Sequence, residues 1–190
     1  MLSYAPSVPS RALSREQKLA LVESRLRTIP FKNVQFKDIM PVMADPQARK
    51  AALELQLEAV DAMPGLPPNK VIGMEARGFL FVSVADALGA GFVCARKLTK
   101  LPGDLVTATY DLEYGRDTLC VQAGAIEPGD RVLVLDDLLA TGGTAGAACD
   151  IVEKMGGEVV GCLFLIELAF LGARTGKLAG RQVGTVLSYT

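Results

Sequence analysis

Val132-Leu133-Val134-Leu135-Asp136-Asp137-Leu138-Leu139-Ala140-Thr141-Gly142-Gly143-Thr144 joins an apolar run to two acids and then to a loop of small and hydroxylated residues. The unbroken apolar run Arg131–Leu135 reads as a strand covered on both faces, as in parallel sheets. Gly142 and Gly143 let backbone amides crowd around an anion, and Thr141 and Thr144 add hydroxyl donors. A helix opening near Ala145 aims its unsatisfied N–H groups at the same point. No Gly-Lys-Ser/Thr follows and no G-x-G-x-x-G is present, so neither the Walker loop nor the dinucleotide fingerprint applies. A strand-to-helix turn capped by Thr144 would account for the glycines by themselves. Asp136-Asp137 adds more, because adjacent carboxylates at the carboxyl end of an apolar strand repel each other and need compensation. Ligands of open α/β sheets bind at that end. Vicinal ribose hydroxyls beside a cradled 5′-phosphate, with Mg²⁺ nearby, would supply the compensation.

Outward from this stretch the chain alternates short apolar runs with helical patterns. Ser14 and Gln17 resemble a capping box opening a helix through about Arg27. Asp45-Pro46 predicts an N-cap and a first-position proline for a helix to about Ala62. Strands are expected at Lys70–Gly73, Phe92–Ala95, Val159–Ile166 and Gln182–Leu187, with helices over Gly78–Leu88 and Ala145–Met155. Thr107–Glu113 and Thr118–Gln122 read as a polar hairpin or flap. This alternation predicts an α/β fold with a mostly parallel central sheet flanked by helices. A tail over 1–13, then one domain over 14–190 with its flap at about 98–120, is the expected organisation.

Composition limits the chemistry. The 190 residues contain no histidine, which excludes His-based triads, His general bases and His metal ligands. Lys+Arg 20 against Asp+Glu 21 leaves no basic field for nucleic acid. No apolar stretch approaches the roughly 18 residues of a membrane span. Cys94, Cys120, Cys149 and Cys162 form no C-x-x-C pair, so free and mostly buried thiols in a reducing, cytoplasmic setting are expected. Arg11, Arg15 and the early serines faintly resemble a transit peptide, but Pro6 and Pro9 break any amphipathic helix there.

Val132–Thr144 resembles the phosphoribosyl-pyrophosphate motif of the type I phosphoribosyltransferases, and its Leu138-Leu139 version resembles the adenine-specific branch. The likeness continues at Glu75–Phe81, at Arg96-Lys97 with Lys100–Gly103, and at Leu112–Gly115, covering roughly residues 14–188. It implies that adenine and phosphoribosyl pyrophosphate (PRPP) become AMP and pyrophosphate, with Mg²⁺ carried by the pyrophosphate, in a homodimer. By position, Ala140, Thr141, Gly142, Gly143 and Thr144 take the 5′-phosphate, and Asp136 and Asp137 take the ribose hydroxyls. Ala76 and Arg77 fall in the pyrophosphate loop, where the likeness implies a non-proline cis peptide after Glu75. Arg96, Lys97 and Lys100 are implied as further phosphate contacts, Glu113 as the proton shuttle to the purine, and Tyr114 as its flap neighbour.

The stretch before Asp38 departs from that family's pattern. Phe31–Lys37 is shortened and lacks a glycine. By position Gln35 faces one side of the base and Leu138 the other; Lys37 offers main-chain groups to the purine edge, and Phe36 is implied as a further adenine-binding residue. A looser adenine pocket is expected. A phosphoribosyltransferase for another purine base, or a non-catalytic nucleotide-sensing regulator of the same fold, also fits the motif. The segment before Pro30 is short and weakly basic for a regulator's nucleic-acid module.

Overall fold

The computed structural model describes residues 12–31, 34–112 and 115–190. Helix α1 (Arg15–Arg25) opens on the expected capping box: the Gln17 N–H donates to Ser14 Oγ at 3.2 Å, and the Ser14 N–H to Gln17 Oε1 at 3.0 Å. It stops short of the expected Arg27, which instead begins strand β1 (Arg27–Phe31), paired antiparallel with β2 (Val34–Asp38). This small separate sheet was not expected, because Pro30 reads as a breaker; it is tolerated in a two-stranded ribbon, where an edge needs no N–H. A short helix α2 (Met40–Ala44) follows. Helix α3 (Pro46–Asp61) then starts where Asp45 Oδ1 accepts from the Gln47 and Ala48 amides at 2.9 and 3.1 Å.

Strand β3 (Lys70–Met74) leads into a 3₁₀ turn, Arg77–Phe81, and only then into α4 (Val82–Leu88). The helix expected from Gly78 is thus split. The tight turn presses the Gly78 backbone onto the central strand: a Cβ there would lie 3.0 Å from the Leu135 carbonyl and 3.1 Å from Asp136 Oδ1. Gly73 likewise leaves room for the Phe92 ring. Strands β4 (Gly91–Lys97), β5 (Leu105–Leu112) and β6 (Gly115–Gln122) come next, the last two forming the expected hairpin. Then follow β7 (Arg131–Leu139), α5 (Gly143–Lys154), β8 (Glu158–Leu168) and β9 (Val183–Tyr189).

The main sheet runs β5-β6-β4-β3-β7-β8-β9. Strands β4, β3, β7, β8 and β9 are parallel, and β6 joins both its neighbours antiparallel. One face buries Ile72, Val134 and Phe164 with Ala148 and Ile151 of α5. The other buries Val71, Leu133, Leu135 and Leu163 with Leu55 of α3 and Val84 of α4. Burial on both faces explains the unbroken apolar run of β7. Cys120, Cys149 and Cys162 are buried free thiols, whereas Cys94 is exposed.

The Gly78 contact yields a test. Gly78→Ala pushes a methyl against a carbonyl and a carboxylate that belong to a central strand and cannot swing aside. The expected cost is about 1–3 kcal/mol, read as a melting point lower by several degrees. An unchanged melt would show that the turn can lift off β7.

Candidate active site

Strand β7 does not end before its acids, as the sequence suggests, but continues through them to Leu139. Asp137 is buried and Asp136 half-buried, and Asp136 Oδ1 accepts from the Asp137 amide at 2.9 Å. Burial pushes the Asp136 carboxyl well above its ordinary value, and the neighbouring Asp137 charge adds to the shift. Burial raises Asp137 as well, against the opposing pull of Arg77. Arg77 Nη1 lies 3.0 Å from Asp137 Oδ2, an ion pair whose carboxylate side chain is 4% exposed. Neither atom completes a hydrogen bond, although both are buried. Each atom thus offsets the charge of the other, yet each keeps hydrogen-bonding capacity that a further partner could take up.

Arg77 begins the 3₁₀ turn, with Ala76 as its N-cap, and the Glu75–Ala76 peptide is cis, where the resemblance put it. The guanidinium stacks on the Phe36 ring, 4.9 Å from its centroid. The turn after β3 is thereby joined to the β1–β2 ribbon. Arg96 points elsewhere. It donates to both Glu75 carboxylate oxygens at 3.1 and 3.4 Å and to the Lys100 carbonyl at 3.2 Å. These bonds hold the Glu75 carboxyl below its ordinary range. The Lys97 ammonium pairs with Asp117 of β6 at 2.9 Å.

A cleft of about 770 Å³ collects the rest. Asp136, Arg77 and the loop Ala140–Thr144 line it, together with Leu138 and the base-wall residues Gln35, Phe36 and Lys37. Arg96, Lys97 and Lys100 are not among the lining residues; they stand along the root of the flap. Gly142 adopts φ 83° and serves as N-cap of α5 in place of the expected Thr144, with no side-chain cap bond. The first amides of that helix therefore face the cleft without an internal side-chain acceptor. On β2, Lys37 pairs with Thr28 and Gln35 with Pro30. Proline has no N–H, so the Pro30–Gln35 pair fits the non-hydrogen-bonded position of the ladder. Alternation then assigns Thr28–Lys37 the same kind, with Lys37 main-chain groups turned away from β1. The Lys37 ammonium bonds Thr28 Oγ1 at 3.0 Å and sits over the Tyr189 ring at 4.1 Å. Glu113 and Tyr114 lie outside the described residues.

Sequence reasoning missed Phe164, Leu168, Leu171 and Lys177, which also line the cleft. Leu171 and Lys177 lie in a segment that reads from sequence as an exposed connection. Phe164 and Leu168 read as ordinary strand residues, so only their placement beside the loop after β7 reveals them.

Comparison with known proteins agrees with this geometry. The phosphoribosyl transferase domain model matches residues 48–178. An adenine phosphoribosyltransferase of Rubrobacter xylanophilus is 47% identical over 92% of the chain and 95% of its own length. The human adenine phosphoribosyltransferase is 44% identical over 92% and 98%. The Thermoanaerobacter pseudethanolicus enzyme superposes with a TM-score of 0.85 at 39% identity, covering 90% of this chain and 99% of its own. The Saccharomyces cerevisiae enzyme, solved with adenine and an imino-altritol bisphosphate, superposes with 0.84 at 35% identity over 90% and 99%. The chain belongs to the phosphoribosyltransferases, in the branch that makes AMP and pyrophosphate from adenine and PRPP.

Proposed function

We propose that both substrates meet in the cleft between the β1–β2 ribbon and the loop after β7, with the ribose over Asp136-Asp137. The observation that carries this reading is the orphaned pair of buried atoms, Asp137 Oδ2 and Arg77 Nη1. A ribose hydroxyl donates to the first and a phosphate oxygen accepts from the second, which satisfies both. The 5′-phosphate takes the uncapped amides of α5 and the hydroxyls of Thr141 and Thr144. The base lies between Gln35 and Leu138, and its edge meets the outward main-chain groups of Lys37.

As pyrophosphate leaves, positive charge builds at the ribose C1′, and the two carboxylates become more stabilising as it does so. Their buried, repelling ground state sharpens that difference. Glu113 handles the purine proton at N7 or N9, with Tyr114 beside it on the flap, and closure of the flap excludes water. Among the described residues no three Cys, Asp or Glu side chains converge on one point. The donor set fits Mg²⁺ carried by the substrate's pyrophosphate, with Asp136 and Asp137 as neighbouring oxygens. Bound there, the ion neutralises charge on the leaving group. Arg96 and Lys97 serve pyrophosphate once their present partners, Glu75 and Asp117, release them, and Lys100 joins them from the same loop. A homodimer and a cytoplasmic setting belong to the same reading. Exposed Leu66, Leu80 and Val82 leave apolar area for a second copy, and the free thiols suit a reducing compartment. No helix among the described residues is long and apolar enough to cross a membrane.

Three measurements test these roles. The chain should form AMP from adenine and PRPP with Mg²⁺, and Asp137→Asn should cut turnover by at least about ten-fold while the protein stays folded. No product at micromolar wild-type enzyme, or unaltered kinetics in the variant, would remove Asp137 from the chemistry.

The acid pair also sets a pH dependence. A carboxyl whose folded pKa lies above its unfolded value favours the fold below that value and opposes it as pH rises. Asp136→Asn removes that opposition, so the ligand-free variant should melt above wild type. The margin should grow from about pH 4 to about pH 8; a constant or reversed margin would mean that the pair is not strained.

Gln35→Val covers the base with an aliphatic face and should lower the adenine KM without admitting hypoxanthine. Unchanged adenine kinetics would place Gln35 away from the base.

A further inference from the structure

The segment after β8 forms a third wall of the cleft, and it is held in place by an ion pair whose carboxylate is buried and whose arginine is partly exposed. Glu167, its side chain 4% exposed, accepts from Arg174 Nε at 2.7 Å and from Arg174 Nη2 at 2.8 Å. Arg174 Nη1 also donates to the Val183 carbonyl at 2.7 Å, and Thr185 Oγ1 donates to Glu167 Oε2 at 3.3 Å. This two-pronged geometry is the strong form of the Arg–carboxylate contact. It ties the loop to β8 and β9 at once. The same loop backs the phosphate cradle, since a Cβ on Gly142 would lie 3.3 Å from the Cβ atoms of both Ala173 and Lys177.

Lys177 lines the cleft at this end. The ammonium groups of Lys18, Lys37, Lys70, Lys97 and Lys154 each reach an oxygen within the chain. That of Lys177 has no such partner among the described residues, nor has that of Lys100, but of these two Lys177 lines the cleft and Lys100 does not. An unpaired cation thus stands beside uncapped helix amides, on a loop that the two-pronged Glu167–Arg174 contact fixes. We propose that Lys177 is a further binding residue for the ribose 5′-phosphate, presented by the Glu167–Arg174 clamp. The inference rests on the placement of that phosphate at Ala140–Thr144. Amides and threonine hydroxyls donate to the phosphate but carry no full charge, and Lys177 supplies it from the open side.

The test compares Lys177→Met, Lys177→Arg and Thr144→Val by steady-state kinetics and by calorimetric binding of AMP. Lys177→Met should raise the PRPP KM and the AMP Kd by about ten-fold, with kcat and the adenine KM moved by less than about two-fold. Lys177→Arg should restore most of the loss. A loss in kcat and both KM values alike, or no loss, would overturn the assignment. Thr144→Val separates the two readings. If it weakens AMP while Lys177→Met does not, only the lysine is misassigned; if neither weakens AMP, the phosphate does not sit in this loop.

Discussion

The constraint on which this molecule turns is the burial of two adjacent carboxylates inside its central strand. A parallel strand covered on both faces is the most stable element an α/β domain has, and charge is the most expensive thing to place there. Asp136 and Asp137 occupy β7 all the same, with only Arg77 opposite, and Asp137 Oδ2 makes no hydrogen bond. Pairing one arginine with two acids leaves the site a net acceptor. Such a set of acceptors is suited to hydroxyl donors.

Close backbone approach makes this arrangement possible. Gly78 lets the 3₁₀ turn lie against the Leu135 carbonyl and Asp136, which delivers Arg77 to Asp137. Gly142, in the left-handed region, lets the cradle lie against Ala173 and Lys177. Three segments far apart in sequence are thus drawn to within one side chain of each other around the end of β7. The turn after β3 brings the Arg77 cation, β7 and its loop bring the acid pair and the helix amides, and the segment at Ala173–Lys177 backs that loop.

Much of this was legible before the fold was known. The apolar run, the acid pair and the glycine loop carry their chemistry in consecutive residues, so Val132–Thr144 could be read alone. Capping at Ser14 and Asp45 was legible for the same reason, since both caps act over three residues. Contacts between distant segments were hidden. The β1–β2 ribbon was missed because Pro30 signals a break, and its tolerance depends on lying in a small ribbon outside the main sheet. Lys177 carries no signal in its own stretch of sequence, and its place beside the cleft is visible only in the fold. The engagement of Arg96 with Glu75 was equally invisible, since parallel β3 and β4 put their carboxyl ends side by side.

On the placement of the base proposed above, the ribbon also bears on how the base is chosen. Lys37 spends its side chain on Thr28 and Tyr189, so its ammonium is turned to the outer strand and not to the purine. What it leaves for the base are an amide donor and a carbonyl acceptor at a ladder position that faces away from β1. A 6-amino purine presents a donor next to an acceptor and matches that order, whereas a 6-oxo purine reverses it and would leave a buried group unpaired. Discrimination of this kind survives side-chain change, which is why a shortened segment with Gln35 and Lys37 can still serve adenine. The ribbon's side chains then set how tightly the ring is covered, and the Arg77–Phe36 stack ties that covering to the arginine that pairs with Asp137.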